Sequence, residues 1–185
     1  MTRRTPPMPG EGVRQRRVAE MIRVDHAGEY GAVQIYRGQR AVFDRIPSRS
    51  HAASVIAEME AGETEHLRTF DRLLAERGVR PTLMAPIWRV AGFGLGAATA
   101  LMGESAAHAC TEAVEEVIEQ HYADQLAALD DEPELKDVVQ RFREDEIGHM
   151  ETAVDQGARN APAYPVLTAI IKFGCRAAIR ISEKI

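Results

Sequence analysis

The chain is poor in the features that would place it in several common classes. Its 185 residues contain two cysteines, Cys110 and Cys175, too few for a disulfide framework. Both sit in apolar, helix-like surroundings, so reduced core thiols are expected. Runs of alternating β-branched residues bounded by turn signals are missing, and this argues against strands. A basic excess is missing too: the formal net charge is −5, which speaks against a nucleic-acid partner. No Gly-x-Gly-x-x-Gly follows a strand, so a Rossmann-type nicotinamide site is not expected. The opening MTRRTPPMPGEG carries three prolines and no apolar run. It does not read as a signal peptide, and residues 1–12 are expected to be a disordered lead-in to one domain over residues 13–185.

What is present is ordinary globular composition, 45% hydrophobic and 28% charged, with apolar residues at helical spacing almost throughout. Val18, Ile22, Ala32 and Tyr36 are in phase within a first helix from Val13 to about Arg45. Ser48 is placed to cap a second helix, which carries Ala52, Ile56, Met59, Phe70 and Leu73 and ends near Gly78. Residues 82–103 are glycine-rich and contain one charge, Arg89. A further long helix runs from about Glu104 to Leu129. Pro133 restarts the chain into a helix with Leu135, Val139, Phe142 and Ala153 in phase, ending near Gly157. Asn160-Ala161-Pro162 opens a last amphipathic segment. The expected architecture is all-α, with four long helices and two shorter apolar or amphipathic ones.

Chemistry enters through charged residues in the wrong place. Glu63-Thr64-Glu65-His66 and Glu146-Ile147-Gly148-His149 are both Glu-x-x-His, and residues three apart share a helix face. In each helix that face is the apolar stripe. Glu29 interrupts the stripe of the first helix in the same way. Buried carboxylates without partners cost several kcal/mol each in order of magnitude, and a group of them repel one another. At least four carboxylates and two imidazoles in one core therefore call for cations. Oxygen ligands with one nitrogen per metal suit iron or manganese, and the absence of a thiolate set counts against structural zinc. The pattern matches that of carboxylate-bridged di-iron bundles: one Glu from each of two helices and Glu-x-x-His from each of the other two.

The remaining carboxylate is ambiguous, because Glu112, Glu115 and Glu119 share one broad face. The spacing from Glu29 to Glu63 is repeated from Glu112 to Glu146, which favours Glu112. Yet Tyr36 lies seven residues after Glu29, and Tyr122 lies seven after Glu115. Loop lengths vary freely while register within a helix does not, so Glu115 is preferred. Asp25, one turn before Glu29, is a candidate to orient a ligating imidazole, and His26 is either a core residue or a neighbour of the site.

RVDHAGEYGA, the two Glu-x-x-His runs, RPTLMAPIW and APAYPVLTAIIKFGCRAAIRISEKI together resemble the demethoxyubiquinone hydroxylases of ubiquinone biosynthesis, over about residues 18–185. The resemblance implies a ferritin-like bundle and two irons per chain, held by Glu29, Glu63, His66, Glu115, Glu146 and His149, with Glu63 and Glu146 bridging. It places His121 and Tyr122 near the site without ligating it. It implies hydroxylation of a polyprenylated demethoxyubiquinol ring with O2 as co-substrate. The electron donor is left open between NADH and the quinone itself. A lipid-presenting partner and a homo-oligomer are admitted as further partners. The alternative from another class is a ferritin-like ferroxidase or iron-binding protein.

A lipid substrate calls for membrane contact. Residues 90–103 are uncharged but shorter than the ~20 residues that span a bilayer. Lys172, Arg176, Arg180 and Lys184 recur every four residues beside Ile170, Phe173, Ala177 and Ile181, as in helices that lie on anionic lipid. The expected location is peripheral, on the cytoplasmic face of a bacterial inner membrane or the matrix face of the mitochondrial one.

Overall fold

A computed structural model describes residues 11–185; the first ten, most of the expected lead-in, lie outside the described residues. Six α-helices follow one another: α1 (Glu11–Phe43), α2 (Ser50–Arg77), α3 (Ala85–Met102), α4 (Glu104–Leu126), α5 (Pro133–Asp155) and α6 (Tyr164–Ser182). None of the described residues is in a strand. Single 3-10 turns at Pro47–Arg49 and Ala158–Asn160 precede α2 and α6. The all-α expectation and the count of four long and two shorter helices agree with this structure.

The helix ends follow local chemistry, with one exception. Gly78 ends α2 at φ 63°, a left-handed conformation, and its N–H reaches the carbonyls of Leu74 and Ala75. Proline occupies the first turn of α3, α5 and α6, where its missing N–H costs nothing. Ser48, however, does not cap α2. It lies inside the 3-10 turn, and the cap position falls to Arg49 with no side-chain hydrogen bond. Pro47 sets the chain into that turn first, and this delays α2 to Ser50.

The helices pack as two similar halves. In the first, α1 lies against both α2 and α3; in the second, α4 lies against both α5 and α6. The four long helices bury Ile22, Tyr36, Ile56, Phe70, Leu73, Tyr122, Leu135 and Val139 between them. Two of the glycines of α3, Gly92 and Gly96, have a packing reason. A Cβ on Gly96 would lie 1.9 Å from the Ile35 carbonyl oxygen, and one on Gly38 would lie 2.2 Å from that of Phe93. Only glycine permits α1 and α3 to approach so closely. Gly92, Gly96, Thr99 and Ala100 face inward, while Ile87, Val90, Phe93, Leu101 and Met102 stay exposed. At the far end, the Trp88 indole donates to Ser182 Oγ at 2.9 Å and ties α3 to α6.

Candidate metal centre

The inward carboxylates converge at the middle of the four long helices. Glu29 (α1), Glu63 and His66 (α2) and Glu146 (α5) form one group whose ligand-type atoms lie within 4.8 Å of one another. Glu63, Glu115 (α4), Glu146 and His149 (α5) form a second group with ligand-type atoms equally close. Glu63 and Glu146 belong to both. Each group draws on both halves of the chain.

Hydrogen bonding leaves the inner atoms unclaimed. Both oxygens of Glu63 and of Glu146, one each of Glu29 and Glu115, and Nδ1 of His66 and His149 are buried without a well-aligned hydrogen bond, although His149 Nδ1 lies 2.8 Å from Glu63 Oε1. Buried polar groups are normally paired, so this concentration is what a cation site requires. The outer atoms, by contrast, are held. Tyr36 on α1 donates to Glu115 Oε1 on α4 at 2.5 Å, and Tyr122 on α4 donates to Glu29 Oε1 on α1. The seven-residue spacing read in the sequence thus appears as two crossed hydrogen bonds. Asp145 Oδ2 lies 3.0 Å from His66 Nε2, which turns Nδ1 toward the carboxylates.

The electrostatics carry the same demand. Burial, then the charges of Glu146 and Glu29, push Glu63 well above the usual carboxylate range. Burial and Glu146 do the same to Glu115. Burial also opposes ionisation of Glu146, but the His149 and His66 imidazoles, each with Nδ1 3.4 Å from one of its oxygens, outweigh it and leave this carboxyl at about 2. His66 is disfavoured as a cation by burial, yet Glu146 and Glu29 raise it to about 11. Without metal, protons stand where cations would.

The other singled-out residues lie around this cluster. Glu112 is buried but turned away, accepting from Arg159 Nε at 3.2 Å and Tyr164 at 2.9 Å, where it fastens the start of α6. Asp25 does not meet either Glu-x-x-His imidazole. It accepts from Gln125 at 2.7 Å and pairs with His121 Nε2 at 3.2 Å. The carboxylate in the orienting place is Asp145, which the sequence reading missed although it directly precedes Glu146. His26 faces Asp71 at 3.0 Å on the outer side of α1. His121 lines a polar pocket with Arg17, Glu20 and Glu183.

A second cavity, of about 420 Å³, lies between α1, α3, α4 and α6. Its lining includes Gly28 and Ala32, which flank Glu29 along α1, and Val114 and Ile118, which flank Glu115 along α4. Trp88 and Leu95 of α3 and Ile170 and Ile179 of α6 line it as well. Cys175 also lines it; burial and the charge of Glu115 push this thiol up to about 12. Neither cysteine is in a disulfide, and Cys110 is buried in the core.

Paired Glu-x-x-His helices around shared carboxylates, with two further helices supplying one carboxylate each, define a ferritin-like bundle. The chain belongs to the family described as ubiquinone biosynthesis protein COQ7, whose profile matches residues 16–182. It is 50% identical over 179 residues to a 3-demethoxyubiquinol 3-hydroxylase of Rhodospirillum rubrum, covering 96% of this chain and 83% of the relative. It is 46% identical to the mitochondrial NADPH-dependent 3-demethoxyubiquinone 3-hydroxylase of Mus musculus, covering 94% and 81%. Against the mitochondrial 5-demethoxyubiquinone hydroxylase of Saccharomyces cerevisiae the identity is 40%, covering 89% and 77%.

Proposed function

We propose that this chain is a di-iron monooxygenase that hydroxylates the ring of a polyprenylated demethoxyubiquinol with O2. The observation that carries the reading is the apolar cavity whose lining includes the residues flanking Glu29 and Glu115. A metal centre that only stores or oxidises iron has no use for such a cavity beside it. The unpartnered, mutually repelling carboxylates fit a pair of divalent cations in charge and in donor type.

Glu29 and His66 would serve one iron, Glu115 and His149 the other, and Glu63 and Glu146 would be shared. When bound, the two ferrous ions supply the electrons that activate O2 for transfer of one atom to the ring. The chain does the rest. Tyr36 and Tyr122 fix the outer oxygens of Glu115 and Glu29, so their inner oxygens stay directed at the metals. Burial raises both phenols well above their usual range, so they remain neutral donors. The aliphatic walls exclude water and hold the quinol ring against the cluster, while its isoprenoid tail leaves between α3 and α6. Electrons for the next turnover are read as nicotinamide-derived, in keeping with the printed name of the mouse relative.

Membrane contact is part of this reading. No described helix is long and apolar enough to cross a bilayer. The exposed Ile87, Val90 and Phe93 of α3 and Val166, Ile170 and Phe173 of α6 frame the two helices that bound the cavity. Such an apolar rim suits peripheral binding at a lipid surface.

Anaerobic reconstitution with ferrous iron, followed by isotopically labelled O2 and a demethoxyquinol, tests the proposal. The expected product carries one labelled oxygen. Iron that is oxidised and retained while the quinol is recovered unchanged would instead assign the bundle to iron handling.

A further inference from the structure

The two halves of the centre are alike in their ligands but not in what stands behind them. Asp145 and Gly62 occupy equivalent positions, each directly before the glutamate of a Glu-x-x-His run. Asp145 Oδ2 accepts from His66 Nε2 at 3.0 Å. Phe142 stacks on the same ring with centroids 3.8 Å apart. His149 has neither aid. A Cβ on Gly62 would come 3.3 Å from His149 Nε2, so glycine leaves room for the ring and offers no acceptor side chain. The His149 side chain is 16% exposed and that of His66 5%.

We propose that the chain builds two metal positions of unequal strength: a tight one at Glu29 and His66, secured by Asp145, and a labile one at Glu115 and His149. This rests on the metal-centre reading above. A carboxylate behind an imidazole fixes the tautomer that presents its free lone pair inward and raises the basicity of that nitrogen. Such partners are worth roughly 10–100-fold in metal affinity. The Asp145 side chain is 58% exposed, so solvent screens it and the effect belongs at the lower end, about tenfold. His149 is held only from its inner side, with Nδ1 2.8 Å from Glu63 Oε1, whereas His66 is also held from behind by Asp145 and Phe142. Asp145 is therefore a positioning residue, and the first ion to enter goes to its side of the cluster.

Titration of the metal-free full chain with Mn(II), following the free ion by its EPR signal, reads the two steps directly. The expected result is two steps about tenfold or more apart. Asp145→Ala weakens the tight step about tenfold and leaves the labile step in place, and Asp145→Asn, an acceptor without charge, falls between. In the Co(II)-loaded chain one shifted imidazole N–H resonance is protected from exchange, and Asp145→Ala abolishes that protection. Gly62→Ala, which presses on His149, weakens only the labile step. Two equal steps in the parent chain, or an unchanged tight step in Asp145→Ala, overturn the inference. No Mn(II) uptake by the parent would overturn the metal-centre reading itself, a distinguishable failure. Asp145 is an exposed helix position where alanine is favourable, so loss of fold does not confuse the result.

Discussion

The choice between Glu112 and Glu115 turns on single side chains, and so do its tests. Glu115→Ala is expected to lower bound metal to about half, whereas Glu112→Ala should keep full metal and lose the Arg159 and Tyr164 anchorage of α6. Metal analysis of the two purified variants decides it. The metal-free Glu115→Ala chain is also expected to unfold at a higher temperature than its parent, since removal of one buried carboxylate relieves the others. The pH dependence has a definite sign. Glu63 and Glu115 are raised in the folded chain, so their protonation contributes stability that is complete below the ordinary value of 4.5 and is lost as pH rises through the raised values. His66 acts in the same direction, its contribution complete below 6.5 and lost toward about 11. Glu146 opposes them only in acid, losing its contribution below 4.5 toward about 2. The metal-free chain should therefore weaken as pH rises from about 5 to about 9. Metal removes the cause of that loss, so the gap in urea midpoint between loaded and metal-free protein should widen with pH. A gap independent of pH would contradict the account.

At the scale of helices, the sequence was legible wherever one helix carried the information. Apolar phase placed Glu29, Glu63, His66, Glu146 and His149 on inward faces, and the structure finds the three glutamates fully buried. The Tyr36 and Tyr122 spacing selected Glu115 for a reason that proves to be a hydrogen bond between helices. What escaped was information shared between helices. Periodicity along α5 marks Asp145 as exposed and cannot say that it ends beside His66 of α2. The uncharged stretch at residues 90–103 suggested membrane contact, whereas its Gly92 and Gly96 are where α3 meets α1. This contact yields a prediction. Gly96→Ala must push α3 off the Ile35 carbonyl, and overpacking of this kind costs about 1–3 kcal/mol. Urea unfolding should record that loss. Gly94→Ala, with nothing within 4 Å of its added carbon, should gain from helix propensity instead.

For the molecule as a whole, the proposed contact with lipid is what needs testing. Of the four basic residues expected along α6, two are engaged internally: Lys172 with Glu116 at 2.5 Å and Lys184 with Glu20 at 3.2 Å. Arg176 and Arg180 make no ion pair among the described residues and are exposed beside Phe173 and Ile170. Charge reversal at Lys172 would set a new carboxylate against Glu116 at the contact of α6 with α4, so Arg176→Glu with Arg180→Glu is the cleaner probe. The double variant should bind anionic vesicles more weakly, by about 1 kcal/mol for each arginine removed and more again for each charge reversed. The loss should shrink as salt is raised, with metal content unchanged. Turnover should fall for a long-tailed quinol and much less for a short-tailed one. Equal vesicle binding and equal turnover would reduce α6 to a packing helix.

The crossed tyrosines have a consequence for how the chain reaches its native state. Tyr36 serves a carboxylate of the second half and Tyr122 one of the first, and each ligand group mixes residues from both. Either half formed alone would expose an inner face of charged groups with half their partners missing, and so would gain little from closing early. Each half therefore completes its polar interior only against the other, so α1–α3 and α4–α6 are expected to unfold together, with far-UV and near-UV transitions in urea that coincide.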